Sequence, residues 1–191
     1  MPNIKNGATY LNNQFLIAMP NLTDPGFSHT VTYLCQHNDE GALGIVINRL
    51  IDMKLGEIFT QMDIKASSQS AIDAPVFSGG PVQQERGFVI HEATGEWDSS
   101  LLISDIIALT TSRDILEAIA AGEGPQNYLV ALGYAGWGEG QLEREIISNA
   151  WLNTPSGNDI LFSTPVSQRW YAAANQIGID INKLTAPAGH G

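Results

Sequence analysis

Gly133-Tyr-Ala-Gly-Trp-Gly-Glu-Gly-Gln-Leu142 is the stretch on which the fold turns. Upstream of it, Asn127–Ala135 sets Tyr128, Val130, Leu132 and Tyr134 on one face of an extended chain, which predicts a strand. Downstream, Gln141–Ala150 places Leu142, Ile146, Asn149 and Ala150 on one side of a helix. A buried strand therefore runs through glycines directly into a helix. Such a junction can cradle phosphate, because glycines expose backbone N–H groups and a helix start is partly positive. The spacing matches neither G-x-G-x-x-G nor G-x-x-x-x-G-K-[ST], and Glu139 and Glu143 stand where an anion would bind. The expected use of these glycines is an irregular turn that lets Trp137 pack closely, with the acids complementing the helix start.

The flanking elements decide the fold class. Phe15–Met19 reads as a buried strand stopped by Pro20, and Asn21–Gly26 as turn chemistry. Thr30–Gln36 and Ala42–Asn48 read as two strands joined by the short polar link His37–Gly41, which predicts an antiparallel hairpin. Met53–Met62 repeats apolar residues at helical spacing, whereas Ala66–Ala74 reads as an exposed loop. Pro75–Ser78, Gly87–His91 and Leu101–Ser104 read as short strands, with a tight turn across Gly79–Arg86. Thr111 with Asp114 predicts a capped helix through Ala121, closed by Gly122, Gly124 and Pro125. Asp159–Ser163 reads as a late strand. Thr164-Pro165 then opens a last helix with Val166, Trp170, Ala173 and Ile177 on its apolar face. Strands cluster early and helices late, without βαβ alternation, so the expectation is α+β with a mixed, mainly antiparallel sheet.

Composition bounds the function. The 191 residues include 20 acidic and 9 basic side chains, a formal net charge of −11. A chain so short of Lys and Arg is poorly suited to a duplex or an anionic membrane surface, and direct nucleic-acid binding is not expected. One cysteine, Cys35, excludes an intrachain disulfide framework and suits a reducing compartment. No long apolar run marks a membrane span or a signal core, so cytoplasmic is the expected location. No internal repeat or linker divides the chain. A single domain over residues 1–184 with a flexible tail, 185–191, is the simplest organisation.

Few residues advertise chemistry. Cys35 ends a predicted strand on the face of Val31 and Tyr33, where a small apolar role is expected. His37, two residues on, shares that face and offers a sharper reading, stabilisation of a Cys35 thiolate. His29, His37, His91 and His190 lack metal-ligand spacing, so no metal is expected. With no nucleotide fingerprint, no cofactor is expected either, and no G-x-S-x-G elbow is present. Arg86 is one of few cations and is expected to anchor a carboxylate, within the fold or on a ligand.

Several of these motifs together resemble the AlgH/YqgE family of bacterial proteins. They are Tyr33-Leu-Cys-Gln-His-Asn38, Gly41-Ala-Leu-Gly-Ile-Val-Ile-Asn48, Gly79-Gly-Pro-Val, Arg86-Gly-Phe-Val-Ile-His91, Gly133 to Glu143, and Asn149-Ala-Trp-Leu152. The likeness runs in order from about Phe15 to Asp180. It implies a bifurcated sheet, part of it a small barrel, with helices around it. It also implies a link to transcriptional control of alginate synthesis, and it carries over no catalytic residue.

Two functions from different classes follow. One is a non-enzymatic regulatory or interaction domain acting through a protein partner. The other is a small-molecule-binding protein or enzyme with its pocket at the Gly133–Gly140 junction, using Cys35. The candidate site residues are Cys35, His37, Arg86, Gly136, Trp137 and Gly138.

Overall fold

Strand β9, Tyr128–Trp137, changes partners along its length, and that change organises the chain. Its residues 128–134 pair with β5 (Pro75–Ser78) and β6 (Val82–Glu92), and its residues 135–137 pair with β3 (Gly41–Val46). This is the fork that a bifurcated sheet requires. The computed structural model describes residues 10–180 and Lys183. The predicted tail, 185–191, lies outside them. Two compact units result, one holding the described residues up to Asn48 and those from Ala135 onward, the other Arg49–Tyr134.

In the first unit the strand order is β10 (Trp151–Pro155), β1 (Gln14–Ala18), β2 (Val31–Asn38), β3, then the end of β9, all antiparallel. The β2–β3 hairpin closes at Asn38 opposite Gly41, as the sequence predicts. A bulge between Leu34 and Gln36 leaves Cys35 as the extra residue. Such a bulge increases local twist and bends the strand toward the barrel-like curl that the resemblance implies. Leu16, Leu34, Trp137, Leu142 and Trp151 form one buried core on this sheet. Helices α4 (Gln141–Ile147) and α5 (Arg169–Gln176) complete the unit.

In the second unit β4 (Leu50–Lys54) pairs with β5, β5 runs parallel to β9, and β6, β8 (Ile107–Thr110) and β7 (Ser100–Leu102) follow antiparallel. Helices α1 (Leu55–Gln61), α2 (Gln69–Ile72) and α3 (Arg113–Ala120) belong here. Leu55, Ile58 and Phe59 of α1 and Ile115, Leu116 and Ile119 of α3 bury against Val76, Val89 and Val130. Each such side chain contributes about 1.5–3 kcal/mol when fully removed from water. The fold is α+β, mixed and mainly antiparallel, with β5–β9 the one parallel pair among the described strands.

Several elements depart from expectation. Asp159–Ser163 is a π-helical turn, closed by the Thr164 N–H on the Asp159 carbonyl five residues back at 2.7 Å. A strand would send Ile160 and Leu161 to opposite faces, whereas the turn buries both. The late strand is instead Trp151–Pro155. Residues 82–86 continue β6 rather than turning, exposed on both faces and therefore without an apolar alternation. Ala66–Ala74 contains α2, whose Ser68 hydroxyl accepts the Ala71 N–H at 3.3 Å. The cap residue of α3 is Ser112 rather than Thr111. Helix α4 stops at Ile147, and Asn149, at φ 63, is exposed. A 3-10 turn, Val166–Gln168, precedes α5, which therefore starts at Arg169, and Ile177 is exposed.

Candidate functional site

At the end of β9 the chain passes through Gly138-Glu139-Gly140 into α4, and Gly140 holds the left-handed φ of 71 that a side chain would strain. Helix α4 then turns its polar residues back on the junction. The Gln141 side-chain oxygen accepts the Gly138 N–H at 3.0 Å, and its amide donates to Glu145 Oε2 at 2.8 Å. Glu145 Oε1 accepts both buried indoles, Trp137 Nε1 at 3.2 Å and Trp151 Nε1 at 3.0 Å. The Trp137 and Trp151 rings meet edge to face with centroids 5.9 Å apart, and Phe27 packs on both. Gly41 of β3 must lack a Cβ, because one would run into the Trp137 carbonyl oxygen. The glycines thus permit close chain packing around an aromatic cluster tied by one carboxylate.

His37 joins the same region from β2. Its Nδ1 accepts the Leu11 N–H at 2.9 Å, and its Nε2 bonds Glu143 Oε1. A ring nitrogen that accepts a backbone N–H carries no proton, so the bond pattern assigns the Nε2–H tautomer donating to the carboxylate. Tyr10 stands edge-on to the ring at 5.3 Å. Glu143, expected to complement the helix start, and Glu145 thereby both have structural partners. The role of Glu143 was not visible in the sequence, because His37 and Glu143 are 106 residues apart.

Cys35 sits on the same strand as His37 but has its own partner. Its Sγ lies 3.6 Å from the Tyr33 carbonyl oxygen, to which it donates, and the residue is 1% exposed. Burial pushes the thiol far above its usual range, which disfavours the thiolate. Stabilisation of a thiolate by His37 finds no bond to support it. Gly136 is exposed and pairs with Leu43. Arg86 belongs to the other unit, where its guanidinium donates to Gln83 Oε1 at 3.3 Å and lies over the Phe88 ring at 5.4 Å. Its described partners are an amide oxygen and a ring rather than the expected carboxylate.

Other polar groups are equally committed. Buried His91 donates from Nδ1 to the Glu92 carbonyl and accepts the Thr110 hydroxyl at Nε2, 2.7 Å away. Thr110 in turn lies 2.9 Å from the Ser100 hydroxyl. Burial pulls the His91 pKa below its ordinary value, against the smaller opposing effect of the Glu92 bond. Arg169 is buried, donates to the Ile47 carbonyl at 2.6 Å and to the Thr164 carbonyl at 3.0 Å, and burial pushes it down to about 10. His29 packs on Trp170 at 4.5 Å, and His190 lies outside the described residues. No group of three or more metal-ligating side chains occurs among the described residues. Two cavities in the second unit are lined by other residues. One of about 450 Å³ lies between Lys54, Phe59 and Asp73, and one of about 260 Å³ between Ser68, Gly124 and Tyr128. Among the described residues, no helix is long and apolar enough to cross a membrane.

Fold and junction together define a class: an α+β domain whose sheet forks at one strand and whose glycine-rich strand-to-helix turn is built around an indole–carboxylate cluster. The chain belongs to the AlgH-like family, whose sequence model matches residues 15–182. It is 59% identical over 184 residues to a UPF0301 protein of Methylococcus capsulatus, covering 96% of this chain and 98% of that one. A UPF0301 protein of Thioalkalivibrio sulfidiphilus is 57% identical over 93% of this chain and 95% of its own. The solution structure of AlgH from Pseudomonas aeruginosa superposes with a TM-score of 0.79 at 45% identity, covering 98% of this chain and all of that one. A crystal structure from Corynebacterium diphtheriae shares the fold at 16% identity, with a TM-score of 0.73 over 93% of this chain and 92% of that one.

Proposed function

We propose that the chain is a non-enzymatic protein-interaction domain that exerts any regulatory effect through a bound protein in the cytoplasm. The observation that carries this reading is the commitment of its chemically capable groups to structure. Glu143 is bonded to His37, Glu145 to two buried indoles, and Cys35 is buried with its thiol disfavoured as thiolate. Large apolar side chains such as Leu102 and Ile106 are meanwhile exposed. A net charge of −11 supports an indirect route to transcriptional control, through a protein rather than through DNA.

The test is affinity capture of the tagged chain from its native lysate, followed by reconstitution of the complex from purified components. A saturable complex whose affinity drops with a single exposed substitution, with the melting temperature unchanged, supports the reading. Arg86→Ala, on an exposed stretch, is one such change. If no captured protein rebinds when purified, the reading fails.

The small-molecule reading has one observation in its favour, the 450 Å³ cleft beside α1 with Lys54, Glu57 and Asp73 at its rim. That cleft lies in the 49–134 unit rather than at the Gly133–Gly140 junction. A metabolite that raises the melting temperature of the parent and not of a Lys54→Ala variant would establish it.

A further inference from the structure

Strand β7 is an edge, with β8 as its one neighbour among the described strands. The Thr111 N–H donates to the Ser99 carbonyl at 2.9 Å, and the Ile103 N–H donates to the Ile107 carbonyl at 2.9 Å. Residues 99, 101 and 103 therefore face β8. Alternation along an extended chain turns the backbone N–H and C=O of Ser100 and Leu102 to the outside. Natural edges are blunted by being short, as the three-residue β7 is, by charged side chains, Lys above all, by Pro, or by a covering element. Here the segment Gly87–Ser112 contains no Lys, Arg or Pro. Leu101 is instead 40% exposed, Leu102 64% and Ile106 60%. The charges on the same segment are Glu92, Glu96, Asp98 and Asp105, of which the last three are exposed.

We propose that β7 accepts an extended segment of a partner protein as an added strand, and that this segment alternates apolar residues with Lys or Arg. The inference rests on the interaction reading above and gives it a surface and a partner chemistry. The outward Ser100 and Leu102 amides supply main-chain bonds, and the exposed Leu101, Leu102 and Ile106 supply apolar contact. The surrounding carboxylates select for cations and repel acidic segments. A second copy of this chain is a poor occupant, because antiparallel self-pairing of β7 would bring Asp98 of one copy close to Asp105 of the other.

A random-peptide display selection on the purified full chain tests this. Peptides carrying Lys or Arg among alternating apolar residues should be enriched, and hydrogen exchange at the Ser100 and Leu102 amides should slow when a synthetic copy of the best peptide binds. Leu102→Pro removes an outward N–H without taking a bond from β8, and should weaken that peptide by up to about tenfold, the equivalent of one neutral main-chain hydrogen bond. Leu102→Lys, at an exposed position, should weaken it similarly and covers the case in which the proline variant does not fold. Retention of full affinity by the lysine variant and by a folded proline variant overturns the placement on β7, while a complex reconstituted from captured protein would leave the interaction reading intact. Enrichment without a cationic preference overturns the partner chemistry. No enrichment, or a dimer of this chain that Leu102→Lys dissolves, overturns the proposal.

Discussion

Glu145→Ala leaves two indole N–H groups without the carboxylate oxygen they share. Trp137 and Trp151 are both buried, and a buried donor left without a partner costs about 1–3 kcal/mol. The expected loss for the two is therefore about 2–6 kcal/mol. Glu145 itself is only half-buried, so water can reach the vacated position and draws the value toward the lower end. For a chain of this size 1 kcal/mol corresponds to about 2–4 °C in Tm, so a fall of at least about 4 °C is expected. Glu145→Gln keeps the acceptor oxygen that both indoles share but not its charge, and should recover about half of the loss. The assay is urea unfolding followed by far-UV circular dichroism, with tryptophan fluorescence as an independent probe of Trp137 and Trp151. A double-mutant cycle with Trp137→Phe isolates that single bond and should give a coupling of about 1 kcal/mol. A Glu145→Ala variant within about 0.5 kcal/mol of the parent, the range of ordinary surface changes, would refute the structural role given to this carboxylate.

Other outcomes follow from the same structure. Cys35 should resist alkylation in the folded protein and react stoichiometrically once denatured, and rapid labelling under native conditions would show an accessible thiolate. Gly133→Ala forces a left-handed φ of 79 on a side chain and drives its Cβ into the Gly80 carbonyl oxygen. The backbone strain alone costs about 1–3 kcal/mol, so a neutral effect in chemical unfolding would contradict the close approach. His91 has its pKa lowered by burial, so the unfolded chain binds the extra proton first as pH falls. Its contribution to stability is complete above the ordinary value of 6.5 and declines as pH drops from there toward the folded value. His91→Gln should flatten the stability profile across that window, and an unchanged slope would show that another group titrates there.

Local signals carried the parts of the fold that local chemistry controls. The β2–β3 hairpin was legible from two β-rich runs and a short polar link, and α3 from the capping pattern at Thr111 and Asp114 and its terminal glycines. The strand β9 was legible as a strand, but its change of partner from β5 to β3 was not, since that depends on segments 50 or more residues away. Strands β8 and β10 were missed because their four or five residues follow no alternation that separates them from loops, and β4 because its alternation spans five residues and runs straight into the helical spacing of α1. Asp159–Ser163 shows the limit of short apolar runs: Ile160 and Leu161 are buried together, which suits a helical turn as well as a strand. The junction itself stood out through its glycines and Trp137, but Glu143 looked like a helix-start charge and Glu145 carried no signal of its indole partners. The approach of β2, carrying His37, gives Glu143 its partner, and β9 and β10, carrying Trp137 and Trp151, give Glu145 its own. One signal in the sequence did point to Glu145, the four-residue spacing of Gln141 and Glu145 on a single helix face.

On the proposed reading a protein, not a metabolite, is what this domain binds. Thermal melting of the purified chain distinguishes the two most directly, because a ligand that binds only the folded state raises stability by mass action. The purified captured partner, at about a hundredfold excess over its dissociation constant, should stabilise the chain by about 2.7 kcal/mol. A metabolite library should leave it unshifted. A small molecule that gives a shift of that size, with the protein partner giving none, would contradict the account.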